Sequence, residues 1–358
     1  MKMARVALTS LAGLVLALCA VAVLGVTAAW LWAGSDTSLA TSLAQASRFL
    51  PPGHRLHAED VKGTLRNGGH IGLLRWEHNG LVVEARQIEL MWRPQALLDR
   101  RLQLDNVHVG QLVIDDRSPA KPAVLPADLG LPFQVDLAFL IDSVQWAGGA
   151  GIEASGLKGH YLFDGGRHSL RLDGGRFANG NYTAQGSLAA RAPQWLEATV
   201  QGEVNAVVPG MTQPLPITAT ATIQGDLSGG AAAVISLKAG IHSSAMPGAV
   251  TADVAAQINP WAAQPVLGAD VNFSSLNLAA LWPGAPQTLL TGSAHVTPTS
   301  DKSWQARGNV TNRLSGPWDK NRLPVDSAQG SLRYSQGQWQ VESVSTAVAG
   351  GQITATGR

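Results

Sequence analysis

The chain of 358 residues is nearly devoid of cysteine. Its single Cys19 falls inside an N-terminal apolar run, so the remainder has no disulfide, no thiolate nucleophile and no cysteine-based metal site. Charge is scarce as well. Asp, Glu, Lys and Arg make up 14% of the residues with a net charge of +1, which provides no basic face for a nucleic acid. Gly-x-Ser-x-Gly, the Walker loop and the dinucleotide fingerprint are all missing, so no enzymatic activity and no cofactor are expected. Among the nine histidines, His54 and His57 stand three apart, but no third metal ligand accompanies them. Glu59-Asp60 and Asp115-Asp116 read as solvated charge at strand ends rather than as catalytic pairs.

What is abundant is apolar residues (45%), glycine (39) and proline (19). The first argues against disorder, and the other two interrupt helical interiors and argue against long helices.

One segment is an exception. Residues 6–34, VALTSLAGLVLALCAVAVLGVTAAWLWAG, carry no charge and exceed the roughly 20 apolar residues a membrane-crossing helix needs. Lys2 and Arg5 precede the run and predict a cytoplasmic N-terminus, while Trp30 and Trp32 suit the far membrane interface. A retained signal-anchor is expected, with everything after residue 34 across the membrane. A cleavable signal peptide with Val26-Thr27-Ala28 at the cleavage site is the competing reading, disfavoured because its apolar region normally spans only ~7–15 residues. A lipid attachment at Cys19 is disfavoured by Leu18, which stands where a small residue belongs.

Residues 36–50, DTSLATSLAQASRFL, predict an amphipathic helix with Leu39, Leu43 and Phe49 or Leu50 near one stripe, capped by Asp36 or Ser38 and ended by Pro51-Pro52-Gly53. Beyond it the apolar period becomes two. LVVEARQIELMW (81–92), RLQL (101–104), VHV (107–109), QLVID (111–115), HSLRLD (168–173), NYTAQGSL (181–188), LEATVQGEVNAVV (196–208), PITATATIQGDL (216–227), ADVNFSSLNL (269–278), GSLRYSQGQWQVESV (330–344) and GQITATG (351–357) all alternate, as half-buried strands do. Asn79-Gly80, Asp164-Gly165, Asp173-Gly174, Asn179-Gly180 and Gln336-Gly337 predict turns between strands. Asp164-Gly-Gly and Asp173-Gly-Gly stand nine apart, but Ser169 and Ala178 replace the aspartates of a calcium-binding nonapeptide repeat, so turns are the better reading. SPAKPAVLPADLGLP (118–132) is a proline-rich spacer between two strand blocks.

The block 61–116 resembles the N-terminal region of the TamB family, the translocation and assembly module subunits. The likeness rests on Leu50-Pro51-Pro52-Gly53 closing a short helix, Gly63-Thr64-Leu65, Trp92-Arg93-Pro94, the Leu97-Leu98 turn, the strand pair from Leu102 through Ile114, and LSGPWDKNRLPVD at 314–326. It implies an inner-membrane anchor and a bulk in the periplasm, arranged as an elongated, curled antiparallel or mixed β-sheet with an open apolar groove, as in the related AsmA-like proteins. It also implies an outer-membrane barrel of the Omp85 type as partner, and roles in phospholipid transport and autotransporter assembly. Family members are several times longer and end in a C-terminal β-domain, so this sequence, which stops within a strand pattern, is expected to be an N-terminal fragment or a truncated relative.

The resulting expectation is a mainly β protein. Residues 1–34 form the cytoplasmic tip and anchor, 35–53 an amphipathic helix, 54–117 a first β block, 118–132 the spacer and 133–358 a continuing sheet. Ile88, Leu90, Trp92, Leu102, Leu104, Val107, Val109, Leu112 and Ile114 would line the first rungs of the groove. About 20 such strands would extend it to on the order of 100 Å, and phospholipid acyl chains would lie in it. Alternating strands also build closed sandwiches whose apolar faces pack on each other, so the alternative is a membrane-anchored β scaffold binding protein or glycan.

Overall fold

The computed structural model describes residues 27–117, 127–147, 152–177, 180–206, 215–243, 251–262, 264–281, 285–301, 303–335 and 338–357. The chain is mainly β and divides into two compact units, residues 1–119 with 133–155, and residues 120–132 with 156–358. The expected anchor over 6–34 lies largely in residues 1–26, outside the described residues, as do Lys2 and Arg5. Among the described residues no helix is long and apolar enough to cross a membrane. Residues 27–33 are helical (α1), with Trp30 and Trp32 exposed.

In the first unit, β1 (His54–Thr64), β2 (Gly68–His78), β3 (Leu81–Trp92) and β4 (Arg101–Asp116) pair antiparallel in chain order, and β5 (Gln134–Trp146) joins β4 in parallel. The β2–β3 hairpin turns on Asn79 (φ 49) and Gly80 (φ 91), two left-handed residues whose twist matches that of the flanking strands. A parallel pair needs a crossover of a dozen or more residues. The stretch between Asp116 and Gln134 meets that need, which accounts for the length of the proline-rich spacer.

The amphipathic helix is shorter than its sequence pattern suggests. Helix α2 runs Ser38–Ala46, and a 3-10 turn over Ser47–Phe49 follows. Neither Asp36 nor Ser38 caps it. Thr37 takes the N-cap position without a side-chain bond. Ser38 is fully buried and turned inward, its single hydroxyl proton shared between the carbonyls of Ser35 (2.7 Å) and Ala33 (3.0 Å) while its oxygen accepts from the Leu65 amide (2.9 Å). From the β1–β2 turn, the Arg66 amide donates to Ala33 O at 3.0 Å. The Arg66 guanidinium donates to Trp30 O and lies 4.5 Å over the Trp30 ring. A cation at a helix C-terminus is favoured by the helix dipole. The end of α1 and the start of α2 are thereby fastened to the first hairpin.

The second unit takes up β6 (Ile152–Phe163) near its beginning and continues with β7 (Arg167–Phe177), β8 (Gly180–Ala189), β9 (Trp195–Ala206), β10 (Leu215–Asp226), β11 (Ile235–His242) and β12 (Thr251–Ile258). Next come β13 (Val266–Leu276), a short helix α3 (Leu278–Leu281), β14 (Leu290–Pro298), β15 (Trp304–Asn312), β16 (Ser327–Ser335), β17 (Gln338–Val348) and β18 (Gly351–Gly357). From β7 to β18 each strand pairs antiparallel with the next in the chain. Asp164 makes the expected turn, accepting from the amides of Gly166 and Arg167 at 2.8 Å each. Asp173-Gly174 does not turn the chain. It sits inside β7, where the register shifts between Leu172 and Gly175. Of the spacer, residues 127–132 strap across the start of this unit. The Leu129 amide donates to Ala190 O at 2.9 Å, and Arg191 pairs with Asp128 at 3.1 Å. His168 Nε2 donates to Leu129 O (3.1 Å), which leaves Nδ1 to accept from the Tyr161 hydroxyl (2.7 Å), and Phe163 stacks on the His168 ring.

The β14–β15 turn is an acid-sensitive point. Asp301 accepts from the hydroxyls of Thr299 and Ser303 (2.7 Å for the latter) and faces Arg333 at 3.0 Å. These hydrogen bonds, led by that from Thr299, hold its carboxyl well below the usual carboxylate range. A depressed folded-state pKa contributes stability above the unfolded value of ~3.9 and loses it as pH falls toward the folded value. Amide protection in β14 and β15 is therefore expected to fall on acidification below about pH 4. In Asp301→Asn it should be lower at neutral pH and flat across the same window. Hydrogen exchange with mass spectrometry checks both, and an acid-independent parent protein would contradict the assignment.

Candidate functional site

The nine residues expected to line a groove share one face of the first unit, although their spacing does not keep a strict period of two. On β4 the series Leu102, Leu104, Val107, Val109, Leu112, Ile114 changes parity twice. The first change is a bulge, in which Asp105 and Asn106 together oppose one residue of β5 between the pairs Leu104↔Leu137 and Val107↔Phe139. The second belongs to a line crossing all five strands. Asp60, Gly72, Gln87, Gly110 and Asp142 drop out of the ladder at matching positions, and Asp60 (φ 49) and Gln87 (φ 53) are left-handed. The glycines make room for this crease. A Cβ on Gly72 would lie 2.9 Å from Asp60 Cβ, and one on Gly110 would lie 2.6 Å from Gln87 Oε1.

Across the crease the apolar rows stay on one side. Val61–Ile71–Ile88–Val109–Ile141 form one row, Ala58–Leu74–Ala85–Leu112–Val144 the next, and Leu56–Trp76–Val83–Ile114–Trp146 the one after. On the other side follow Leu90–Val107–Phe139 and Trp92–Leu104–Leu137, then Leu102–Val135. The opposite face carries the ion pairs, with Leu73, Val82, Val113 and Leu140 scattered among them. Glu84 pairs with Arg75 (3.7 Å) and with Arg86, and His108 with Asp142 (2.9 Å). His54 and His57 fall on opposite faces, one stacked on His78 and the other bonded to Glu59 at 2.8 Å, so they do not converge. No group of three metal-ligating side chains occurs among the described residues.

The second unit repeats the arrangement on a longer scale. One transverse row begins at Leu172 of β7 and passes through Ala184, Val200, Ala221 and Ala239 to Val254. It continues through Val271, Ala294, Gly308, Gly330 and Val344 to Ala355 of β18. No polar side chain interrupts it on any strand from β7 to β18, which at the spacing of sheet strands is on the order of 50 Å. The adjacent row, Leu170 through Ile223, Leu237, Val296 and Leu332 to Val341, is equally apolar. From Leu172 to Val344 every member of the first row is half-buried and none is sealed. Thr222, Lys238, Asp253, Asn272, His295 and Arg307 occupy the other face.

Neighbouring strands lean toward the apolar face where it carries glycine. A Cβ on Gly292 would lie 2.2 Å from Asn309 O, and one on Gly330 would lie 2.4 Å from Ser343 O, approaches that no other residue tolerates. A cavity of about 270 Å³ opens there on the apolar side, lined by Phe273, Ala294, Ala306, Gly308, Val310, Ala328, Leu332 and Val344. The larger depression on the polar side, about 790 Å³, is lined by groups that already bond one another, such as His295 with Asp270 (2.6 Å) and Asn309 with Ser293 (3.0 Å). It is solvated surface.

A sandwich closed on these faces would bury most of the rows. Among the described residues only ten apolar side chains are buried, and in the first unit's sheet these are Ile71, Ile88 and Val109, in the single row against which Leu43 of α2 packs. Sequence reasoning missed the crease. Its signal was an i, i+3 apolar step on five successive strands, Ala58/Val61, Ile71/Leu74, Ala85/Ile88, Val109/Leu112 and Ile141/Val144. Comparison with known proteins returns no match: no family model, no curated protein and no solved structure is similar to this chain.

Proposed function

We propose that the apolar face is a lipid-bearing surface, and that the protein is a conduit of the TamB kind, anchored in the inner membrane and carrying phospholipid through the periplasm toward the outer membrane. An Omp85-type barrel is the proposed partner at the far end, and assistance to outer-membrane protein assembly the associated task. The observation that carries this reading is the unbroken apolar row from Leu172 to Val344, half-open to water along its length. Each methylene laid on such a face escapes water for about 0.8 kcal/mol. Head groups stay solvated outside it. Movement along the row makes and breaks no covalent bond, so no catalytic group is required.

The test is photo-crosslinking of the full chain. A photoreactive residue at Leu90, Leu104, Val254 or Val271 is expected to capture phospholipid. One at Glu89, Gln103, Asp253 or Asn272, on the other face, is expected to capture none. Equal labelling of the two sets, or lipid-free preparations throughout, would refute the conduit.

A further inference from the structure

We infer that α2 is a gate on the apolar face of the first unit, in which Leu43 holds the place an acyl chain takes on arrival. This rests on the conduit reading and adds its control. The row under Leu43 contains the only buried side chains of that sheet, Ile71 at 3%, Ile88 at 5% and Val109 at 8% exposure. Neighbouring rows, built from residues of the same apolarity, remain half-open. Among the described residues, Leu43 is the one apolar side chain from outside the sheet that packs against this buried row.

The helix is fastened unevenly. At its start Ser38 is buried and bonded to Leu65 and Ala33, next to the Arg66 clasp. Toward its end Ala44, Gln45 and Ala46 are exposed, and Phe49 is 78% exposed on the 3-10 turn that follows. Local support lies at the exit, where the Ser47 amide bonds the last carbonyls and Arg48 reaches Gln45 at 3.5 Å. The helix has no side-chain cap, no acidic residue in its first turn and no basic residue in its last. Nine residues are too few for a stable helix in water, where lengths below ~12–15 are marginal. It therefore stays wound only while Leu39 and Leu43 are seated. An acyl chain competing for the same row removes that support, and the end of α2 unwinds from a fixed hinge at Ser38.

The experiment uses the full, delipidated chain and phosphatidylglycerol vesicles, with hydrogen exchange read over Ser42–Ala46 and a photo-crosslinker at Val107 or Val271. Lipid is expected to speed exchange in α2 tenfold or more while Val107 becomes labelled, with strand protection in β3 and β4 retained. Leu43→Ala, which loosens the seat, is expected to raise the labelling rate at Val107 several-fold. Labelling at Val107 with unchanged α2 exchange, or a Leu43→Ala rate equal to the parent's, overturns the gate and leaves the conduit standing. Labelling at Val271 alone also overturns the gate. Labelling at neither position overturns both.

Discussion

Val271→Asp is expected to reduce phospholipid transfer between donor and acceptor vesicles about 100-fold. Val271 stands on β13 in the middle of the uninterrupted row, flanked across the ladder by Val254 and Ala294. A carboxylate there confronts any chain that passes with an unpaired charge, and removing such a group from water costs several kcal/mol. A penalty of about 3 kcal/mol corresponds to roughly 100-fold. Asn272→Asp places the same charge one residue away on the polar face and is expected to leave transfer unchanged. In Val271→Asp, lipid labelling should also become one-sided, retained at Leu172 or at Val344, toward the two ends of the same row, according to the direction of supply. If both substitutions slow transfer equally, net charge rather than an apolar path is responsible.

Gly110→Val is expected to destabilise the first unit by about 3 kcal/mol, because overpacking at a closely approached position costs roughly this much. The crowding has one named partner, Gln87: its Oε1, at 2.6 Å from the new Cβ, ends a flexible side chain and can turn aside, whereas its Cβ at 3.1 Å and the added valine methyls leave the strand little room. Gln87→Gly removes that side chain and relieves a left-handed non-glycine residue (φ 53) at the same point. The double variant is therefore expected to recover most of the loss, and Gln87→Gly alone to be neutral or stabilising. Thermal unfolding followed by circular dichroism should show the single valine variant melting about 10 °C lower. Additive effects of the two substitutions would mean that the pair does not define the crease.

Much of this fold was legible in the chain, strongly where β-branched and aromatic residues alternate. LVVEARQIELMW is β3 to the residue, and GQITATG is β18. Strands β1, β2, β5, β6, β11, β12, β14 and β15 fall outside the alternating runs. In β11, β12 and β14 alanine and glycine carry apolar positions, as in ISLKAGIH and TADVAAQI, and contribute little amplitude to the pattern. Three separate short runs over 101–115 proved to be the single strand β4, because its bulge and the crease reset the alternation twice without ending the ladder. The nine residues expected along the groove do share a face, but only because those two irregularities restore the side that a strict period of two would lose. The packing of Leu43 against the Ile71, Ile88 and Val109 cluster could not be read from sequence. It depends on where α2 docks, and that is fixed by a buried serine and by Arg66, 28 residues apart, which no periodicity connects.

The neighbour-only pairing of β7 to β18 has a consequence for how this chain is built and varied. Each hairpin needs only the strand before it as a template, so structure accrues vectorially, in the order in which residues become available. The same grammar makes length an independent variable. Excising one complete antiparallel pair, two strands and their turn, should shorten the path by ~10 Å and preserve the in–out parity of everything downstream. Excising a single strand would reverse the polypeptide's direction beyond the cut and scramble every later partner. Hairpins, rather than residues, are the quantum in which this architecture lengthens or contracts.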